Sequence, residues 1–381
     1  MVVLKVKSAS NFYWLFILIV SFLLLSACTE QVQQKTKVPN KNENSKSPQT
    51  NVSEEEEWKL PIMVPEGEFY KTAGWLSDEE IIYITNLGQT SSLYRYHLFT
   101  GKSELIYKSE SPIVNVEISP SKKYLLVHSS PTTYEGIITV IDMNGSVRTS
   151  QEIASYELLY EWNPYNDSEI LISKFNEDWS FEVLLLDLKE AGLTALSLPQ
   201  PFVKWTGNNS FAYLNWDENN PALDAPLLER KLGENNEKTL FPALYQFSTY
   251  QNVLLAISAN AADNAQAIYS FYDHNMSEIF TFTSPLLSKF SDWLIPFNDY
   301  NAATNQFATL KPISSGEADA YMDGFNLEIY NLKKRSSKVM MSRLENEPIQ
   351  FSPSGKALLY GNSFEKIIEL SKKQITHLIK E

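Results

Sequence analysis

Among the stretches of the chain that set a tryptophan beside carboxylates are Glu177-Asp178-Trp179 and, farther on, Trp216-Asp217-Glu218. An indole next to a carboxylate can hold an ammonium or guanidinium group, the ring supplying a cation–π contact and the acid an ion pair. The same pair can also stack on and hydrogen-bond a sugar ring. Tyr134 with Glu135, Tyr300, and Tyr321 with Asp323 have related make-up. Acid–base catalysis by carboxylates on separate loops leaves no linear motif, so pairs such as Asp217 with Asp323 or Glu177 with Asp217 keep hydrolysis open. Asp217, Glu218, Asp319 and Asp323 offer the oxygen donors that calcium takes, although no EF-hand loop is present.

Other chemistries are excluded by type and spacing. No two glycines lie four apart, so there is no Gly-x-Ser-x-Gly nucleophile elbow. His97, His128, His274 and His377 stand far from one another at no metal-binding spacing, and read as strand or turn residues. With Cys28 as the single cysteine, neither a disulfide framework nor a cysteine-rich zinc site can form within one molecule. No catalytic residue and no resident cofactor is assigned.

Loops can bring such residues together only if a regular scaffold presents them. ISPSKKYLLV at Ile118 and FSPSGKALLY at Phe351 are two copies of one phrase: an apolar anchor, a turn, then a strand-forming run. Further copies have anchors at Trp75, Trp162, Trp205, Phe247 and Phe290, at a period of about 43 residues, with the last gap longer by about 18. The surplus falls between Phe297 and Phe325. Each unit continues with strands such as GIITVIDM or FEVLLLDL, and helical periodicity is almost absent. The expected fold is all-β, a β-propeller of four-stranded antiparallel blades, seven by anchor count, with six left open because the insertion blurs the register of the sixth and seventh units.

The residue before each anchor forms a second series: Gly74, Glu117, Glu161, Lys204, Gln246, Lys289 and Gln350. On innermost strands these would make one structural layer around the central channel, with Glu161 and Lys204 on neighbouring blades satisfying each other. In a four-stranded blade, the loops between the second and third strands share a face with the blade-to-blade loops. That face collects Tyr134, Glu135, Glu177, Asp178, Trp179, Trp216, Asp217, Glu218, Tyr300, Tyr321 and Asp323, and is acidic and aromatic. The opposite face collects Lys102, Arg148, Lys189, Lys231, Lys238, Lys333, Lys334, Arg335, Lys338, Lys372 and Lys373, diluted by acids such as Asp78, Glu79, Glu80, Glu234, Glu237 and Glu278, and is expected to lie toward anionic lipid headgroups.

The N-terminus sets the location. Lys5 and Lys7 precede the apolar run from Tyr13 to Leu25, which closes in Leu25-Ser26-Ala27-Cys28. Residues 1–28 read as a lipoprotein signal peptide whose lipobox cysteine takes a diacylglycerol, placing the protein on the extracytoplasmic side of the cell membrane. Residues 29–57 are a polar tether and residues 58–381 the propeller. The formal charge of −14 becomes −16 once Lys5 and Lys7 leave, which argues against nucleic acid as a partner.

The SPSGK and SPSKK turns look like those of TolB-like, WD40-like propeller repeats. The layout of lipobox, tether and aromatic-rich propeller resembles the YqgU-like lipoproteins of Gram-positive bacteria. That resemblance implies a fold, given as six-bladed against the seven anchors here, and carries no chemistry. The expectation is a membrane-anchored binding or scaffold module whose acidic, aromatic face takes an envelope protein partner. Two alternatives stay open: a receptor for a small cationic or glycan ligand, and a carboxylate- or calcium-dependent hydrolase using the same face.

Overall fold

The computed structural model describes residues 57–217, 219–290 and 292–380. The signal segment, Cys28, nearly all of the tether and Glu218 lie outside the described residues. Seven antiparallel four-stranded sheets follow one another along the chain, spanning residues 68–109, 113–154, 157–196, 203–244, 246–285, 298–344 and 349–377. They are numbered here as blades 1 to 7. Neighbouring blades touch through their first strands, which therefore lie innermost. Strands two and three are apolar on both sides, as in Ile81 to Ile84 and Ile170 to Ile172, because each sheet is sandwiched between two others.

The anchors close the gaps between blades. Trp205 is wholly buried and its indole N–H donates to the carbonyl of Glu161 in blade 3, at 3.1 Å. Trp75 makes the corresponding bond to the carbonyl of Gln350 in blade 7, at 3.2 Å. An indole satisfies both needs of this position, a large apolar body and a donor for a carbonyl that would otherwise be lost to water. Each blade takes its four strands from one stretch of chain, interrupted only in blade 6 by Gly316–Glu317, so the ring closes between blades 1 and 7 by packing rather than by exchange of a strand. The segment from Trp58 to Ile62 adds a strap across that seam. Lys59 N donates to Leu98 O in blade 1 and Ile62 N to Leu378 O after blade 7, while Trp58, Leu60 and Ile62 pack on the cluster shared by the two blades.

The sixth unit departs from the sequence expectation. Phe290 is fully exposed at the tip of a short hairpin, Leu287–Lys289 with Asp292–Leu294, so it anchors nothing. Lys289 is exposed on the same hairpin and does not belong to the channel layer. The innermost strand of blade 6 is Asn298–Asn301, with Tyr300 as anchor and Asp299 as the layer residue. The hairpin is held by burial of Trp293 and Ile295 against the core of blades 5 and 6, which leaves its tip outward. The surplus residues are thus split between this hairpin and the stretch before Phe325. Gly316–Glu317 pairs in parallel with Leu287–Lys289, giving a small three-stranded sheet.

Candidate functional site

The loops between second and third strands and the blade-to-blade loops of blades 2 to 4 bring a row of aromatic rings to one face. Tyr134 lies 6.4 Å from Tyr156, Tyr156 6.1 Å from Trp179, Trp179 6.1 Å from Phe175, and Phe175 6.0 Å from Phe202. Phe175 is buried and acts as the floor, while Trp179 and Phe202 are 61% and 62% exposed and Tyr134 and Tyr156 about half exposed. The backbone fixes the spacing. Ser155 N donates to Tyr134 O, Tyr156 N to Phe175 O, and the Ser173 hydroxyl to the carbonyl of Pro201 beside Phe202.

Trp179 has φ +63°, in the left-handed region, at a position where a short hairpin loop ordinarily takes glycine or asparagine. A bulky residue there costs of the order of 1–2 kcal/mol, a strain that clusters at working sites. The adjoining Asp178 carboxylate accepts bonds from the Ser180 hydroxyl and Ser180 N, and these hold it below the usual carboxylate range, so it stays charged. The four loop stretches that carry the exposed rings, PTTYE, SYE, NEDWS and SLPQPF, contain Glu135, Glu157, Glu177 and Asp178 and neither lysine nor arginine. Lys174 beneath them is already paired with Glu182 at 3.2 Å.

Other expected members of this face stand outside the row of exposed rings: Trp216 and Asp217 lie on the second-to-third-strand loop of blade 4, where Gln200 Nε2 donates to Trp216 O at 3.1 Å. Trp216 is half-buried, and Asp217 uses Oδ1 to accept Asn219 N at 2.9 Å within its own turn. Tyr300 is the blade 6 anchor, 5.1 Å from Tyr250, and is no part of the outer face. Tyr321 turns inward: its hydroxyl accepts from Ile313 N at 2.7 Å and donates to Gly324 O at 2.9 Å, tying down the blade 6 insertion. Asp323 accepts from the Ser314 hydroxyl at 2.5 Å. Asp217 and Asp323 stand on blades 4 and 6, with blade 5 between them. Among the described residues no group of three His, Cys, Asp or Glu side chains is placed to hold a metal ion, and Glu218 of the expected calcium set lies outside the described residues. Tyr156 and Phe202 were not singled out in the sequence. Their signal is weak, each being an aromatic in a polar blade-to-blade loop.

The channel layer has a different character. Lys204 Nζ lies 2.6 Å from Glu161 Oε2, a bonded ion pair between blades 3 and 4. Glu117 on blade 2 is enclosed by the channel wall, and burial, reinforced by the Glu161 charge, pushes its carboxyl up to about 8. Asp299 on blade 6 is likewise raised by burial, to about 7, although it accepts the Phe351 N–H at 2.6 Å. Gln246 and Gln350 complete the layer from blades 5 and 7, and Gly74 leaves the space into which the Gln350 side chain reaches.

Comparison with known proteins agrees with this architecture. Residues 97–361 match the family model described as the YqgU-like 6-bladed beta propeller domain. The chain is 28% identical over 309 residues to the uncharacterized lipoprotein YqgU of Bacillus subtilis (strain 168), covering 80% of this chain and 83% of that one. Among solved structures it is similar to the uncharacterized protein lmo1340 from Listeria monocytogenes EGD-e, at 21% identity and a TM-score of 0.77 over 84% of this chain and 97% of that one. The propeller domain of the trilobed protease from Pyrococcus furiosus, noted for an open velcro topology, is 11% identical with a TM-score of 0.53 over 82% of this chain and 98% of that one. These structural likenesses concern the fold alone. The family is described with six blades, whereas the described residues here form seven four-stranded sheets.

Proposed function

The chain belongs to the family of YqgU-like 6-bladed beta propeller domains, and from that premise we propose that it is a lipid-anchored, extracytoplasmic module that binds a basic segment of an envelope protein. The relative in Bacillus subtilis is described as a lipoprotein, and Leu25-Ser26-Ala27-Cys28 supplies the cysteine that a diacylglycerol would take. The observation that carries the binding reading is the ridge Tyr134, Tyr156, Trp179 and Phe202, four exposed rings in register across three blades. Exposed apolar rings at this density are costly in water and gain when a partner covers them. The ridge loops carry four carboxylates and no cation, so the partner is basic, offering arginine or lysine to the rings and the acids together.

The test is a double charge reversal, Glu177→Lys with Asp178→Lys, set against Lys333→Glu on the opposite face. Envelope proteins retained by the immobilised wild-type protein should be released by raised salt, lost with the double reversal and kept with Lys333→Glu. Equal retention by all three proteins would remove this reading.

A further inference from the structure

The charged groups around the channel differ in how they are paired. In blades 3 and 4 Glu161 and Lys204 pair directly. In blades 1, 2 and 6 the charged groups are Lys71, Glu117 and Asp299, and among the described residues none of the three makes an ion pair. Lys71 Nζ donates one hydrogen bond, to Asn115 Oδ1 at 2.7 Å, and has N–H groups left over. Lys71, Glu117 and Asp299 all line one cavity of about 730 Å³ within the channel, together with Thr72, Asn115 and Gln350. Two more polar atoms at this wall are unsatisfied: Thr72 Oγ1, on a wholly buried side chain, and Gln350 Oε1. Buried polar atoms without partners cost about 1–3 kcal/mol each, so a wall that carries several calls for a reason.

We propose that this cavity binds a small zwitterion, an amino acid or short peptide, whose carboxylate meets Lys71 and Asn115 and whose ammonium meets Asp299, Glu117 and Gln350 Oε1. Lys71 on blade 1 and Asp299 on blade 6, with blade 7 between their blades in the ring, make no ion pair with each other. A ligand that carries both charges closes the gap, and an ion of either sign alone leaves one wall charge unmet. Burial raises the Glu117 and Asp299 carboxyls and lowers Lys71, and the opposite charges of Lys71 and Glu117 offset only part of each other's shift. The cavity volume suits ligands of a few residues rather than a folded partner, so the site is separate from the ridge on blades 2 to 4.

The experiment uses the full chain in detergent micelles and native mass spectrometry against an equimolar mixture of the twenty amino acids and their alanyl dipeptides. The proposal expects one or more adducts with zwitterion masses. Amidation or N-acetylation of the bound compound, each removing one charge, should weaken binding at least tenfold. Lys71→Met should abolish the adduct and Lys71→Arg restore it in part, with the melting temperature of each variant measured to show that it folds. No adduct from the mixture, or equal binding of the amidated and acetylated forms, would overturn the proposal. So would an adduct unchanged in a folded Lys71→Met protein.

Discussion

At the scale of single residues, Trp179 separates strain from use. Trp179→Gly removes the left-handed penalty together with the ring, so folding stability should stay within about 1 kcal/mol of wild type, while Trp179→Ala keeps the penalty, loses the ring and should fall about 1 kcal/mol below the glycine variant. Chemical denaturation of the pair checks this, and both variants should lose partner binding. Glu117 gives a pH signature. Its folded-state value, about 8, lies above its unfolded value, so the native state holds a proton that the unfolded chain releases between about pH 4.5 and pH 8. Its contribution is therefore fully present below pH 4.5 and is lost as the pH rises through 8. Glu117→Gln keeps the shape without the charge. Relative to wild type it should be stabilised by roughly 1–3 kcal/mol at pH 9, and the difference should vanish near pH 5. Melting curves at the two pH values decide it. Trp179 and its carboxylates were legible in the sequence because the side-chain types adjoin. Tyr156, Phe202 and Asp299 were not, because each gains its role from neighbours on another blade.

At the scale of elements, the repeat was readable wherever an anchor, a turn and a strand occur in that order, as from Trp75 to Phe247 and again at Phe351. It misled at Phe290, where the phrase KFSDWLIPF has the right letters but lies in a short hairpin. Tertiary burial of Trp293 and Ile295 decides that segment, and the true anchor Tyr300 follows it. Closeness between blades also shows in glycine. Gly145 and Gly88 both have positive φ, but a Cβ at Gly145 would lie 2.0 Å from Ile106 O on blade 1, while at Gly88 it would meet open space. Gly88→Ala should cost only the backbone term, about 1 kcal/mol, and Gly145→Ala clearly more, about 2–4 kcal/mol, as measured by denaturant midpoints. The strap from Trp58 to Ile62 belongs at this scale too, since it packs across the seam between blades 1 and 7, the neighbours that are not consecutive in the chain.

At the scale of the whole molecule, a closed ring gives two faces that can differ in charge without disturbing the core. The ridge loops are acidic, while Lys333, Lys334 and Arg335 stand exposed on the turn between the last two strands of blade 6, on the other face. In the function proposed above, with a diacylglycerol at Cys28, that basic face would meet anionic headgroups and leave the ridge turned outward. Reversing all three charges should reduce binding of the protein to phosphatidylglycerol vesicles by roughly an order of magnitude at low salt, read by co-sedimentation. The measurement that reaches the central claim most directly is photo-crosslinking in living cells, with the reactive residue placed at Trp179 and, on the opposite face, at Lys334. The account predicts a discrete protein adduct at Trp179 that is absent at Lys334 and disappears when Glu177 and Asp178 are reversed. A folded, surface-anchored protein that gives no adduct at Trp179, or the same adduct at both positions, would contradict it.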